Sequence, residues 1–153
     1  MLRRCPQDRT PSALTRSCAD VPSWRVLRVK TILVIEDDPV IGEFLADLLQ
    51  LAGYRSMLAY DGVTGLACLR DARPDLVLCD LRLPLMDGAS VAGAMREEPA
   101  LRATPLVLMS ADPTQLEGAA RRHGHPSLLK PIGVQSLLTT IAAQLGEPCA
   151  MAG

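Results

Sequence analysis

The stretch TILVIEDDP, Thr31 to Pro39, runs four aliphatic residues directly into three acids. A short apolar run without polar alternation reads as a strand buried on both faces. Asp38 then offers a helix N-cap and Pro39 suits a first helical position. Val40, Ile41, Phe44, Leu45, Leu48 and Leu49 follow at helical spacing, and Gly53 ends the element. A buried strand, a tight acidic turn and an amphipathic helix make the first half of a βαβ unit.

The same alternation continues along the chain. RSMLAY, DLVLCD, TPLVLMSA and SLLKP read as further strands. DGVTGLACLRDARP, DGASVAGAMREE, PTQLEGAARRHG and VQSLLTTIAAQLG read as the helices between and after them. Five strands alternating with five helices predict a doubly wound α/β fold: a parallel sheet, right-handed crossovers and helices on both faces. Ligands of such sheets sit beyond the C-terminal strand ends, where strand order reverses. The predicted strand ends carry Glu36, Asp37 and Asp38 on the first strand, Asp80 on the third, Ser110 on the fourth and Lys130 on the fifth. The polar residues therefore converge on one edge.

Two carboxylates about 4 Å apart repel by roughly 4 kcal/mol at an effective dielectric of 20. Either one stays protonated or a cation lies between them. Asp37 and Asp80, with backbone and water oxygens, would form an open oxygen-ligand site of the kind Mg²⁺ prefers. A carboxylate beside such an ion can act as a nucleophile toward a phosphoryl group.

Composition sets the frame. At 48% hydrophobic residues over 153 positions, the chain has the material for one domain's core. No apolar run is long enough to span a bilayer, and the arginines near the start precede no apolar stretch of a secretory signal. The five cysteines form no short paired motif, so they are expected to be reduced thiols of a cytoplasmic protein. Residues 1–29 hold six arginines against two aspartates and are expected to be a disordered basic extension. Four aromatic residues in the whole chain leave little for base stacking, which argues against direct nucleic-acid binding.

ILVIEDDP, LCDLRLPLMDG, LVLMSA and LLKPI, in that order and spacing, resemble the receiver domain of two-component response regulators over about residues 30–146. The resemblance implies a flavodoxin-like fold with strand order 2-1-3-4-5, followed here by a short tail over 147–153. Its further implications follow residue by residue. Asp80 is the phosphoacceptor and Asp37 a direct Mg²⁺ ligand, while Glu36 acts on the metal through water and Arg82 offers it a backbone carbonyl. Ser110 bonds the phosphoryl oxygen after activation. Lys130 pairs with the phosphoryl group, and a cis bond precedes Pro131. The implied donor is a sensor histidine kinase or a histidine phosphotransfer protein, docking near the first helix with Ile41 as a candidate contact. No output module is expected after the domain, so an unknown downstream protein is the expected reader. No membrane partner is expected.

One departure from the family pattern stands at Ser127, where an aromatic residue is usual. Lysine is scarce in this chain, two of the sixteen basic residues, so its presence at position 130 suggests a demand for a compact point charge. Other residues have plainer readings. Asp38 caps a helix, Gly88 in MDG supplies a positive φ to the turn, and Cys79 fills core space. His123 and His125 lack a third ligand for a metal. The competing function is a phosphorylation-independent interaction module that retains the receiver fold; a small Mg²⁺-dependent phosphatase would need an acid/base on an insertion the chain lacks.

Overall fold

The computed structural model describes residues 28–148. Most of the expected basic extension and part of the tail lie outside the described residues. In chain order the elements are β1 (Thr31–Ile35), α1 (Pro39–Leu51), β2 (Arg55–Ala59), α2 (Gly62–Ala72), β3 (Leu76–Asp80), α3 (Gly88–Glu97), β4 (Leu106–Ser110), α4 (Pro113–His123), β5 (Ser127–Leu129) and α5 (Val134–Leu145). The five strands are all parallel, as the alternation predicts, and lie in the order β2-β1-β3-β4-β5, as the family resemblance implies.

Period-two alternation along the strands divides the core into two layers. Leu33, Ile35, Val77 and Cys79 pack on one face against Leu66, Leu69, Val91 and Leu116 of α2, α3 and α4. Ile32, Val34, Leu76 and Leu78 pack on the other against Leu45, Leu49, Leu137 and Ile141 of α1 and α5. β1 and β3, being central, are buried on both sides. That is why their sequences read as unbroken apolar runs.

Four helices begin at an aspartate whose carboxylate accepts backbone N–H bonds: Asp38 for α1, Asp61 for α2, Asp87 for α3 and Asp112 for α4. Three of these caps follow strand ends on the same edge, and the fourth closes the β3–α3 loop there.

Gly88 corrects an expectation. Its φ is not positive; the positive φ of this loop belongs to Leu85. Gly88 is the first residue of α3, and a Cβ there would lie 2.2 Å from the Asp80 carbonyl oxygen and 2.9 Å from the Leu81 Cα. Glycine is required because α3 starts against the backbone of the β3 end, not because the turn demands left-handed geometry.

Candidate functional site

β1 stops at Ile35, so Glu36 and Asp37 leave the sheet just beyond the strand, while Asp80 is the last residue of β3. Cys79 pairs with Ile35 across the sheet, which sets Asp80 beside the β1 exit. Carboxylate oxygens of Glu36, Asp37 and Asp80 lie within 4.8 Å of one another. Glu36 and Asp80 are buried and Asp37 is exposed, so the cluster has a closed floor and one open side.

The repulsion expected of such a cluster has a counter-ion from within the chain. Lys130 follows β5 directly, and its Nζ donates to Glu36 Oε2 at 2.6 Å and to Asp80 Oδ2. Sequence reading paired Lys130 with a phosphoryl group only, and did not foresee that the ammonium bridges the two buried acids. Burial alone would lower the Lys130 ammonium, but its bonds to Asp80 and Glu36 hold it above its ordinary value. Burial pushes the Glu36 carboxyl up; the Lys130 hydrogen bond draws it back and the Asp80 charge adds to the rise. Three carboxylates and one ammonium leave a formal charge of −2, with Asp37 unanswered among the described residues.

The remaining predicted residues surround this centre. Arg82 N donates to Asp80 Oδ1 at 2.8 Å, which fixes the carboxylate's orientation and turns the chain around it. The Arg82 guanidinium reaches outward to within 3.8 Å of Asp112 Oδ2, a link sequence reading missed. Ser110 ends β4, is buried, and its Oγ accepts from Asp112 N at 3.1 Å. Lys130 N donates to the Ser110 carbonyl at 2.9 Å, tying the β4 and β5 ends together. The Lys130–Pro131 bond is cis. An open groove of about 760 Å³ runs from Asp37 past Arg82 and Asp87 to Arg122 and His123 on α4.

Ile41, His123 and His125 stand apart from the centre. Ile41 lies on α1, partly exposed, and Phe44 one turn on is more so. The His123 and His125 rings stack with centroids 6.3 Å apart, and His123 Nδ1 is buried without a hydrogen-bond partner. Among the described residues, they join no third metal-binding side chain.

The donor set suits a hard divalent ion: oxygen ligands only, a residual charge of two negatives and an open face for water. No helix among the described residues is long and apolar enough to cross a membrane.

A family model for the response regulator receiver domain matches residues 32–142. Among curated proteins, the chain is 28% identical over 120 residues to the polar-differentiation response regulator DivK of Brucella anthropi, covering 77% of this chain and 98% of that one. Among solved structures it is similar to the receiver domain of a Pseudomonas aeruginosa sensor histidine kinase, solved with a magnesium ion coordinated in the active-site cleft. That pair is 28% identical with a TM-score of 0.73, covering 78% of this chain and 100% of the other. The chemotaxis response regulator CheY4 of Vibrio cholerae is similar at 26% identity and a TM-score of 0.71, covering 76% of this chain and 99% of that one.

Proposed function

Because this chain belongs to the response regulator receiver family, we propose that it accepts a phosphoryl group on Asp80 in a Mg²⁺-dependent transfer. The donor is a phosphohistidine on a sensor kinase or a phosphotransfer protein. The observation that carries this reading is the trio Glu36, Asp37 and Asp80 gathered at one strand edge, with Lys130 answering only part of its charge.

Asp37 and Asp80 would hold the ion directly, with Glu36 acting through water and the Arg82 carbonyl facing it. Bound there, the metal would neutralise charge on the transferring oxygens. An Asp80 carboxylate oxygen attacks phosphorus as the bond from phosphorus to the imidazole nitrogen breaks. The nitrogen keeps that electron pair, and a proton taken up by the donor ring from water leaves its imidazole neutral. Arg82 N, already bonded to Asp80 Oδ1, holds that oxygen so that Oδ2 is the attacking atom. Lys130 Nζ stands at Oδ2 and transfers its contact to a phosphoryl oxygen as the bond forms.

The product adds about two negative charges at the β3 end. Ser110, whose Oγ accepts from Asp112 N, would donate its hydroxyl proton to one phosphoryl oxygen and draw the β4–α4 loop inward. Lys130 sits directly after β5, so its shift is felt along α4 and β5, where an unidentified downstream protein reads the change. Ser127 at the start of β5 excludes a switch based on an aromatic ring at that position. Surface charge and the β4–α4 loop carry the signal instead.

Incubation with Mg²⁺ and acetyl phosphate, read by intact mass, tests the proposal. One phosphoryl adduct is expected in the wild type, with none in Asp80→Asn or Asp37→Ala. A wild type that remains unmodified, with partner binding indifferent to Asp80→Asn, supports a phosphorylation-independent interaction module.

A further inference from the structure

The loop from Asp80 to α3 contains a conformation the site chemistry does not require. Met86 N donates to the Pro84 carbonyl at 2.7 Å, closing a three-residue turn around Leu85, whose φ is 66°. A γ-turn with its central residue at positive φ is the rare, strained sense. A branched, bulky side chain is among the least suited to it. Leu85 is also 82% exposed, and its neighbours Leu83 and Met86 are the ones that pack against the core.

Both ends of the loop are pinned. Gly88 N donates to the Leu81 carbonyl at 3.0 Å, and α3 begins against the Asp80 backbone. The Met86 carbonyl presses on Gly62 so closely that a Cβ there would lie 1.9 Å away. With its flanks fixed, the turn leaves the Leu85 side chain in solvent. The isolated chain gains nothing from this: the backbone is strained and an aliphatic side chain stays in water. Such strain persists where the surroundings over-determine it, and it clusters at functional sites.

Its place in the fold says what would cover it. Leu85 stands on the loop that leaves Asp80, on the α2–α3 side of the sheet, while Val40 and Phe44 expose apolar surface on α1 on the opposite side. A protein donor must bring a phosphohistidine to bonding distance of Asp80, so its surface must rest on the loops around that residue. A small donor such as acetyl phosphate touches only the pocket.

We infer that Leu85 is a specificity-determining contact for the protein phosphodonor, a preformed apolar knob that seats in a complementary apolar recess beside the donor histidine. The inference rests on the phosphoacceptor reading above. Leu85 touches no reacting atom; its role is recognition.

The test uses the full chain with Leu85→Gly, Leu85→Asn and Leu85→Met. Each is phosphorylated with acetyl phosphate and, separately, with the autophosphorylated histidine kinases and phosphotransfer proteins encoded in the same genome. Glycine removes both strain and side chain; asparagine tolerates positive φ but is polar; methionine keeps the apolar reach. At least one protein donor should label the wild type. Its transfer rate should fall about tenfold or more in Leu85→Gly and Leu85→Asn, the loss of one apolar anchor. Leu85→Met should transfer near the wild-type rate, and acetyl phosphate should label all four chains alike. Leu85→Gly should also unfold at a higher temperature than the wild type. The inference is overturned if the protein donor transfers equally to Leu85→Asn, if acetyl phosphate labelling falls in parallel, or if acetyl phosphate labels the wild type while no protein donor does. Failure of acetyl phosphate on the wild type removes the phosphoacceptor reading itself.

Discussion

β3 and β5 are separated in the sheet only by β4, yet they differ in nearly everything that holds a strand. β3 has five residues, all buried, and pairs with β1 on one side and β4 on the other. β5 has three residues, lies at the sheet edge with Ser127 and Leu129 exposed, and among the described residues pairs only with β4. The phosphoacceptor candidate ends the first strand and its counter-ion follows the second. Asp80 thus stands on a rigid floor, while Lys130 reaches it from an edge with little apolar burial. Segments of low local stability are where switches are found. One ion contact thus couples a fully buried strand to the short edge strand, so a charge change at Asp80 has a soft element to act on.

The largest effect should separate the two strands directly. Leu78→Ala in β3 removes a fully buried side chain and should cost about 2–5 kcal/mol in urea unfolding. Leu129→Ala in β5, where the side chain is 51% exposed, should stay within about 1 kcal/mol. Equal losses would break the contrast. Gly88→Ala tests how tightly the floor is joined to α3. The added methyl meets backbone that cannot move aside, and a loss of about 1–3 kcal/mol is expected from the same measurement.

Lys130→Met probes the link between the strands. It keeps the stem but leaves Glu36 and Asp80 facing each other, so stability in chelator should drop by about 1–3 kcal/mol. Added Mg²⁺ should recover more of that loss than it adds to the wild type. The smallest effect lies beside the loose edge. Burial holds His123 and His125 below the usual histidine value, with Arg96 and Arg122 adding to it at His123, and His123 and Arg96 at His125. As pH falls through the histidine range, the unfolded chain takes up these protons before the folded one. Stability from this pair is therefore full above about pH 6.5 and declines below it. Urea midpoints across that range should show the decline, and the double change to glutamine should flatten it.

The architecture was legible because local signals agreed with it. Unbroken apolar runs marked the central strands, Asp38 and Pro39 marked the start of α1, and the alternation of elements implied a parallel sheet, while the strand order came from the family resemblance. That Glu36, Asp37, Asp80, Ser110 and Lys130 share one edge followed from the common direction of the strands. What escaped were relations between distant backbones and side chains. The Glu36–Lys130 contact spans 94 positions and has no local sequence signature. Gly88 was assigned to a turn because its real neighbour, the Asp80 carbonyl, is known only once α3 is placed against β3. Leu85 left no signal because leucine has no preference for the turn it occupies; the pinned flanks impose that conformation.

The central claim is that the acid cluster accommodates a divalent ion and makes Asp80 the atom donor to phosphorus. A crystal of the wild-type protein soaked in Mg²⁺ and beryllofluoride tests it most directly. The account predicts a beryllium fluoride group bonded to the Asp80 carboxylate, a metal ligated by Asp37 and Asp80, and Lys130 and Ser110 turned toward the fluorines. A pocket that stays empty at Asp80, with Lys130 still bridging Glu36 and Asp80, would contradict it.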